Sequence, residues 1–230
     1  NIPIGTYEKP GFLEDGYAQK YNRFITENYI NVYRPPVAAP SAQKVLKNAL
    51  HGAQRSSVVM LSIGPLNNMA NLINDAEGYA LVKNKVSLFV TMCTGLEKPE
   101  WNIERDISSA MDVFDKWPTP IVISVAETGG SIITGRSFGS MSADNPVRVA
   151  YKLFNNGDKK CGRMSWDLTA AWYAISGVEP FFFLSPPCDV IIDAAGLALY
   201  YENPDGNCRI LHNKMDPKEI STFIDTLWTN

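Results

Sequence analysis

The hydrophobic positions of this chain alternate between short continuous apolar runs and stretches in which apolar residues recur at helical spacing. Continuous runs rich in β-branched residues occupy residues 57–63, 86–92 and 120–125. Runs of this kind predict strands that are buried on both faces of a sheet. Between the second and third runs, one helical face collects Ile107, Ala110, Met111, Phe114 and Trp117. This alternation predicts an α/β architecture, with a mainly parallel, doubly wound sheet and helices on both faces.

The regions around these strands carry signals for further elements. Helices are predicted at residues 14–29, 41–53, from 65 onward, 106–117, 145–155, 165–176 and 216–228. Ser41, Asp106 and Asp216 are suitable N-caps for three of these helices. Short strands are predicted at residues 2–5, 181–184, 189–193, 196–201 and 207–211. The four strands of the last third are typical of a small antiparallel or mixed extension of the sheet.

Composition limits the domain count and the class of partner. The 230 residues are 45% apolar and 20% charged, with a net charge of −3 and no basic stripe. This argues against nucleic acid or an anionic membrane as the main partner. No apolar run approaches the roughly 20 residues of a membrane-spanning helix. Because no linker or repeat divides the chain, we expect a single domain over residues 1–230. The sequence shows no signal peptide and leaves the compartment open between cytoplasm and periplasm.

The cysteines and histidines exclude several kinds of catalytic site. Four cysteines lie far apart without metal-type spacing: Cys93, Cys161, Cys188 and Cys208. His51 and His212 are the only histidines. Two histidines nearly exclude a multi-histidine zinc site and leave little room for a Ser-His-Asp triad. We interpret both as surface or packing residues rather than catalysts.

Two peptides that follow predicted strands carry the groups best suited to bind a ligand. Residues 63–68 follow the first buried strand, and residues 100–102 follow the second. In parallel α/β proteins, ligands bind beyond the carboxyl ends of the strands. The carbonyl, carboxylate and amide groups of these peptides suit an oxygen-liking metal and a polyhydroxylated substrate rather than a phosphate.

Each candidate residue also has a structural interpretation. Asp167 lies at the start of a predicted helix, where a cap or first-turn acid is the more common role. Trp101 either lines a binding cleft or folds back over the core while Glu100 and Asn102 face water. Glu127, after the third strand, is slightly favoured as a loop acid that caps the next helix.

Three short motifs follow one another along the chain. Residues 63–68 read Ile-Gly-Pro-Leu-Asn-Asn, residues 100–102 read Glu-Trp-Asn ahead of the Asp106 helix, and residues 165–167 read Ser-Trp-Asp. In this order they resemble the G-P-L-T-N peptide, the E-F-N segment and the late H-D pair of inosine–uridine-preferring nucleoside hydrolases. The resemblance extends over essentially all of the chain.

The resemblance implies hydrolysis of the N-glycosidic bond of ribonucleosides by a metal-activated water, which yields ribose and free base. It implies a Ca²⁺ ion bound by the backbone carbonyl of Ile63 and the carboxylate of Asp167. Ribose hydroxyls would be bound by Glu100 and Asn102, next to Trp101 in the wall of the sugar pocket. The implied substrate-binding residues are Glu100, Trp101, Asn102 and Trp166.

Three departures from the family pattern bear on activity. The aspartate-rich opening, D-x-D-x-x-x-D-D on a first strand, has no counterpart. We therefore expect the first strand–helix segment to be missing and the general base to lie upstream of Asn1, so the catalytic residues stay unknown and this segment alone is expected to be inactive. Trp166 stands where the family has a histidine that would help to protonate a leaving base. The indole N–H of tryptophan is only a weakly acidic donor, so it is poorly suited to that role. The loop between Met92 and Glu100 is too short to carry a substrate-contacting Asn.

An alternative function follows from these departures. The chain would then be a non-catalytic member of the same fold that binds a nucleoside or sugar, or one chain of a larger assembly. A doubly wound sheet without its first strand would expose an apolar edge. We therefore expect a homo-oligomer or association with an upstream segment.

Overall fold

The computed structural model describes residues 2–8, 20–30, 38–157 and 162–229. Their contacts group into two compact units. The larger unit comprises Asn1–Glu8, Pro40–Gly130 and Trp166–Lys214, and the smaller comprises Lys9–Ala39, Ser131–Ser165 and Met215–Asn230. The single domain expected from the sequence stays a prediction. Cys161 and the first part of the helix predicted at residues 14–29 lie outside the described residues.

The larger unit is built on a mixed sheet. Its strands are β1 (Val58–Ser62), β2 (Val86–Thr91), β3 (Ile121–Ser124), β6 (Phe182–Leu184), β7 (Cys188–Ile192), β8 (Ala198–Glu202) and β9 (Cys208–Asn213). Strands β1, β2, β3 and β9 are neighbours in that order, and all three pairings are parallel. β9 pairs antiparallel with β6 and β7, and β7 pairs antiparallel with β8. The predicted α/β class with an antiparallel extension is confirmed.

Helices surround this sheet because its central strands are apolar on both faces. The helices of the larger unit are α2 (Ala42–Gly52), α3 (Asn67–Asn74), α4 (Ala76–Lys85), α5 (Trp101–Glu104), α6 (Ile107–Lys116), α7 (Ala126–Gly130) and α9 (Trp166–Ser176). On one face, Met60, Phe89 and Ile123 join a buried cluster with residues of α3, α4 and α6, such as Leu72 and Val113. The other face is contacted by α9, which lies against β1, β2 and β3.

The smaller unit has its own packing. It contains α1 (Asn22–Asn28), the two-stranded pair β4 (Ile133–Thr134) and β5 (Arg163–Met164), a 3₁₀ turn at Phe138–Ser140, α8 (Pro146–Phe154) and α10 (Pro217–Thr229). Phe138 packs edge-on against Tyr151 and Trp228, with ring centroids 4.7 and 5.8 Å away. The Asp225 carboxylate accepts the Gly135 N–H at 2.7 Å. Across the described residues, none of the helices combines the length and the apolar character that a membrane crossing requires.

Several local predictions are confirmed and others are wrong. Asp106 caps α6 as predicted, by accepting the Ser109 N–H at 3.0 Å. Ser41 precedes α2 but its side chain makes no capping hydrogen bond. Residues 2–5 form no strand, and only Thr6 makes an isolated bridge, to Ser41. The helix predicted from residue 65 is two helices, because Asp75 ends α3 and caps α4 through the Gly78 N–H.

Candidate functional site

The carboxyl ends of β1, β2 and β3 meet at one edge of the sheet because the three strands are parallel. Each strand ends there in a buried hydroxyl residue: Ser62, Thr91 or Ser124. Ile63 follows β1 directly, and its side chain is 45% exposed. The chain that follows β2 leads to the Glu-Trp-Asn peptide, in which Glu100 is the N-cap of α5 and Trp101 and Asn102 are its first two residues. In open parallel sheets this edge is where ligands bind.

Glu100 is the N-cap of α5 and carries a perturbed carboxyl group. Its Oε2 accepts the backbone N–H of Asn102 at 2.8 Å. The pKa of Glu100 is raised to about 7, mainly by burial, with a smaller contribution from the negative charge of Asp167 and against the lowering effect of that hydrogen bond. The structure therefore brings Glu100 and Asp167 close enough to interact electrostatically, although 66 residues of sequence separate them.

Asn102 is held by a structural contact that the sequence did not indicate. Its side chain is 6% exposed, and Nδ2 donates to the Met92 carbonyl at 2.9 Å. The interpretation in which Asn102 faces water is therefore wrong. Trp101 beside it is half-buried, with the Arg105 guanidinium 4.8 Å from the ring centroid. Its place in the wall of a sugar pocket stays a prediction.

Trp166 and Asp167 open α9, as the sequence predicted. The indole Nε1 of Trp166 donates to the Ala126 carbonyl at 2.9 Å. A Cβ atom at Gly130 would lie 3.2 Å from that same nitrogen, so the indole packs closely against the short helix α7. The side chain of Asp167 is exposed in the first turn of α9. This position satisfies the structural interpretation of Asp167 and leaves its role in metal binding a prediction.

The loop that connects β2 to α5 is anchored by residues that sequence reasoning missed. Thr94, fully buried, shares a 2.6 Å hydrogen bond with the hydroxyl of Tyr200 on β8. The Glu127 carboxylate, in the first turn of α7, accepts the Leu96 N–H at 3.1 and 3.2 Å. Glu127 lies after β3, as the sequence predicted, but its carboxylate accepts a hydrogen bond from the loop between β2 and α5. No local pattern in the sequence signals a contact between residues so far apart.

His51 and His212 have the surface and packing roles that the sequence predicted, and Cys93 is a buried free cysteine. The Nε2 atom of His51 lies at hydrogen-bond distance, 2.9 Å, from Glu77 Oε1 on the surface of α2. His212 stacks against Phe183, with ring centroids 5.1 Å apart. Burial raises the pKa of the Cys93 thiol to about 12, which keeps it protonated and unreactive near neutral pH.

The donors at this edge match calcium in kind but not in number. Calcium takes six to eight oxygen ligands from carboxylates and carbonyls, and the Ile63 carbonyl and Asp167 carboxylate are of these types. Within the described ranges, no group of three or more His, Cys, Asp or Glu side chains is placed to hold a metal ion. Calcium binding by the Ile63 carbonyl and the Asp167 carboxylate stays a prediction.

Comparison with known proteins gives a structural likeness without a sequence match. No known family profile matches the chain, and no curated protein matches it either. Among solved structures, it is similar to an inosine–uridine preferring nucleoside hydrolase from Bacillus anthracis, at 15% identity over 84% of this chain and a TM-score of 0.64. A purine-preferring ribonucleoside hydrolase from Gardnerella vaginalis gives 16% identity over 85% of this chain and a TM-score of 0.65.

A further similar structure is a complex. It is the type III effector protein XopQ bound to adenosine diphosphate ribose, at 14% identity over 85% of this chain and a TM-score of 0.62. The chain spans about two thirds of the length of the matched structures: 66% of the Bacillus protein, 69% of the Gardnerella protein and 66% of XopQ. At these identities the likeness concerns architecture. The chain has a nucleoside hydrolase-like α/β fold.

Proposed function

We propose that this chain binds a ribonucleoside at the carboxyl edge of β1–β3 and belongs to an enzyme that hydrolyses its N-glycosidic bond. The observation that carries the proposal is the position of Glu100 and Asp167 at this edge of a nucleoside hydrolase-like fold, where the charge of Asp167 contributes to the raised pKa of Glu100. Carboxylates that converge at a ligand-binding edge suit the hydroxyl groups of ribose, which donate hydrogen bonds to them. The neighbour from Bacillus anthracis is named for inosine and uridine, which supports ribonucleosides as the substrate class.

The residues around the two carboxylates have distinct proposed roles. Glu100, with a pKa of about 7, populates both protonation states near neutrality and so offers ribose an acceptor or a donor. Asn102 lies beside it and would bind a ribose hydroxyl through its amide oxygen, because Nδ2 already donates to the Met92 carbonyl. Trp101 would form the wall of the sugar pocket, and the Trp166 ring would stack on the base.

Calcium is the proposed cofactor, with the Ile63 carbonyl and the Asp167 carboxylate as two of its ligands. When bound in this family, such an ion activates water and holds the ribose diol. Terbium luminescence sensitised by tryptophan tests the site without any activity measurement. We expect Asp167→Asn to abolish a terbium signal that calcium displaces, while Asp115→Asn, an exposed residue near the end of α6, leaves it unchanged. Equal signals in both variants would place the metal elsewhere.

A second candidate function is ligand binding without cleavage. The observation that favours it is the 2.9 Å bond from the Trp166 indole to the Ala126 carbonyl, which commits the only polar atom of the residue that replaces the family histidine. Trp166 therefore has no proton to give to a leaving base. The complex of XopQ with adenosine diphosphate ribose shows that a protein similar in architecture binds a ribose-containing ligand.

Release of ribose from ribonucleosides distinguishes the two candidates. We expect the enzyme to which this chain belongs, supplied with calcium, to release reducing sugar from a panel of ribonucleosides, and its Asp167→Asn variant to lose that release. Asp115→Asn should retain it. Binding of the same nucleosides without sugar release supports the second candidate, and neither binding nor release contradicts both. Loss of ribonucleoside affinity in Asn102→Ala, on the order of 1–3 kcal/mol for one buried hydrogen bond, tests the proposed sugar contact.

A further inference from the structure

The short helix α7 is held in place by contacts from outside itself. It has five residues, Ala126–Gly130, whereas an isolated helix needs roughly 12–15 residues to be even marginally stable in water. One contact comes from the loop after β2, because the Ala126 N–H donates to the Thr94 carbonyl at 2.8 Å. The position of α7 therefore depends on tertiary hydrogen bonds rather than on its own helical structure.

Thr128 connects α7 to β9 through two hydrogen bonds. Thr128 is 5% exposed, and its hydroxyl donates to the Leu211 carbonyl at 2.7 Å. The Thr128 carbonyl accepts a hydrogen bond from Asn213 Nδ2 at 3.1 Å. Both partners belong to β9, and Leu211 lies beside Ser124 at the end of β3. One buried residue of α7 thus fixes this helix against the sheet.

The same helix contacts the indole of Trp166 on both sides of Thr128. The Ala126 carbonyl accepts a hydrogen bond from Trp166 Nε1 at 2.9 Å, and a Cβ atom at Gly130 would lie 3.2 Å from that nitrogen. A shift of Thr128 would move both contacts, because the three residues belong to one short helix. Since an N–H donor has to stay aligned with its acceptor, the indole ring follows the Ala126 carbonyl.

We propose that Thr128 is a positioning residue for Trp166, whose ring it orients towards the base of the ribonucleoside by tying α7 to β9. This inference rests on the proposed function, in which Trp166 stacks on the base. Thr128 is itself buried, so it acts through the Ala126 carbonyl. That carbonyl sets the plane of the indole, and the plane of the indole decides how much of the base it covers.

The consequence for binding is a preference between bases. A purine offers a larger ring system for stacking than a pyrimidine, so a misoriented indole weakens the binding of inosine more than that of uridine. We expect Thr128→Val to weaken inosine binding about 10-fold, as for the loss of part of a stacking contact. The ratio of inosine affinity to uridine affinity, measured by calorimetry, should fall. General destabilisation would weaken both nucleosides alike.

Thr119→Val is the matched control for the loss of a buried hydroxyl. Thr119 is 8% exposed, and its hydroxyl accepts a hydrogen bond from Trp117 Nε1 at 2.9 Å. It precedes β3, whereas α7 follows that strand. We expect Thr119→Val to keep the wild-type ratio of the two affinities. Thr128→Ser, which retains the hydroxyl, should keep it as well.

Fluorine NMR tests the orientation of the indole in the free chain. With 5-fluorotryptophan at all five tryptophans, the Trp166 signal is identified by its absence in Trp166→Phe. Thr128→Val should shift this signal, while Thr119→Val should leave it in place. Asn213→Ala removes the other bond between β9 and Thr128 and should also shift it, so this variant serves if Thr128→Val does not fold.

The two measurements separate the inference from the proposed function. A Trp166 signal that stays in place in Thr128→Val and Asn213→Ala overturns the inference, as does one that Thr119→Val shifts equally. An unchanged ratio of inosine to uridine affinity in Thr128→Val also overturns it. If the wild-type chain binds neither nucleoside, the proposed function fails, and the fluorine signal still decides whether Thr128 positions Trp166.

Discussion

Asn102 and Trp166 are both fixed by hydrogen bonds to backbone carbonyls just beyond the ends of strands. Asn102 donates to Met92 after β2, and Trp166 donates to Ala126 after β3, each at 2.9 Å. A side chain held in this way has one defined orientation, because turning it would leave a carbonyl without its donor. Such residues build the edge of the sheet whether or not a ligand is bound. Their substitution should therefore change stability as well as ligand affinity.

Asn102→Ala should lower the free energy of unfolding by about 1–3 kcal/mol, since it leaves the Met92 carbonyl without its donor in a buried environment. Urea denaturation measures this change. Asn84→Ala is the matched control, because the Asn84 amide donates to Ala80 on the exposed surface of α4 and its loss should cost under about 0.5 kcal/mol. Equal destabilisation in both variants would show that the Met92 contact contributes nothing specific.

Gly130→Ala should disturb the packing of the Trp166 indole against α7. The added Cβ would lie 3.2 Å from the indole nitrogen, which must then shift and weaken its bond to the Ala126 carbonyl. We expect a loss of about 1 kcal/mol in the free energy of unfolding. Gly52→Ala at the end of α2 has open space around its new methyl group, so it should cost nothing. A Gly130→Ala protein as stable as Gly52→Ala would contradict the close packing.

The raised pKa of Glu100 predicts a pH dependence of stability. Burial keeps the Glu100 proton bound to about pH 7 in the folded chain, against an ordinary pKa of 4.5. The stability from the neutral carboxyl is therefore complete below pH 4.5 and is lost as pH rises to about 7. Glu100→Gln has no charge to bury. Between pH 4.5 and pH 7, its free energy of unfolding should therefore rise relative to that of the wild type by on the order of 2 kcal/mol.

Denaturant titrations at several pH values measure that difference. Glu104→Gln, an exposed carboxyl two positions beyond Asn102, is the control and should show no such trend. A constant difference between Glu100→Gln and the wild type from pH 4.5 to pH 7 would mean that Glu100 is not buried as the structure shows.

Among the elements, the loop between β2 and α5 is positioned by contacts with β8 and α7. Tyr200 reaches the loop from β8 through Thr94, and Glu127 reaches it from α7 through the Leu96 N–H. These contacts fix the path of the chain from the end of β2 to Glu100. The position of the candidate ribose-binding peptide thus depends on the antiparallel extension of the sheet as well as on its parallel core.

Tyr200→Phe should remove the 2.6 Å bond to Thr94 and leave a fully buried hydroxyl without that partner. We expect a cost of about 1–3 kcal/mol in the free energy of unfolding. The neighbouring Tyr201 is 50% exposed, so Tyr201→Phe should be nearly neutral and serves as the control. The anchoring role of Tyr200 would be contradicted if thermal or urea unfolding did not separate the two variants.

The sequence predicted the positions of the strands better than it predicted which strands pair with each other. Continuous apolar runs located β1, β2 and β3 to within a residue or two, because strands buried on both faces have a distinct composition. The insertion of β9 next to β3 as a parallel strand was not predicted, since a short apolar run does not specify its partner. Asp75 was also missed as a break between α3 and α4, because the apolar pattern continues through it.

The sequence predicted where the candidate site residues lie on the strands and helices, but it predicted few of the contacts that these residues make. Parallel strands force the residues after β1 and β2 to one edge, and a helix-start signal placed Asp167 in the first turn of α9. The electrostatic interaction of Asp167 with Glu100, the bond of Asn102 to Met92 and the packing of Trp166 against α7 depend on long-range packing. No local pattern encodes such contacts, because they join residues from different elements.

At the scale of the whole molecule, the chain shares its architecture with nucleoside hydrolases while spanning about two thirds of their length. The larger unit contains every residue assigned to the candidate site, from Ile63 to Asp167. Its parallel core supplies the edge and its helices supply the carboxylates. Both the hydrolytic and the purely binding function require recognition of ribose at that edge.

Calorimetric titration of the chain with a ribonucleoside and with its 2′-deoxy analogue measures this recognition of ribose. The ribonucleoside should bind about 10-fold or more tightly, because a hydrogen bond from a ribose hydroxyl to a charged carboxylate contributes about 1.5–3 kcal/mol. Asp167→Asn should remove this preference, and the exposed control Asp115→Asn should keep it. Equal affinities for the two nucleosides, or a preference that survives Asp167→Asn, would contradict the assignment of this edge as a ribose site.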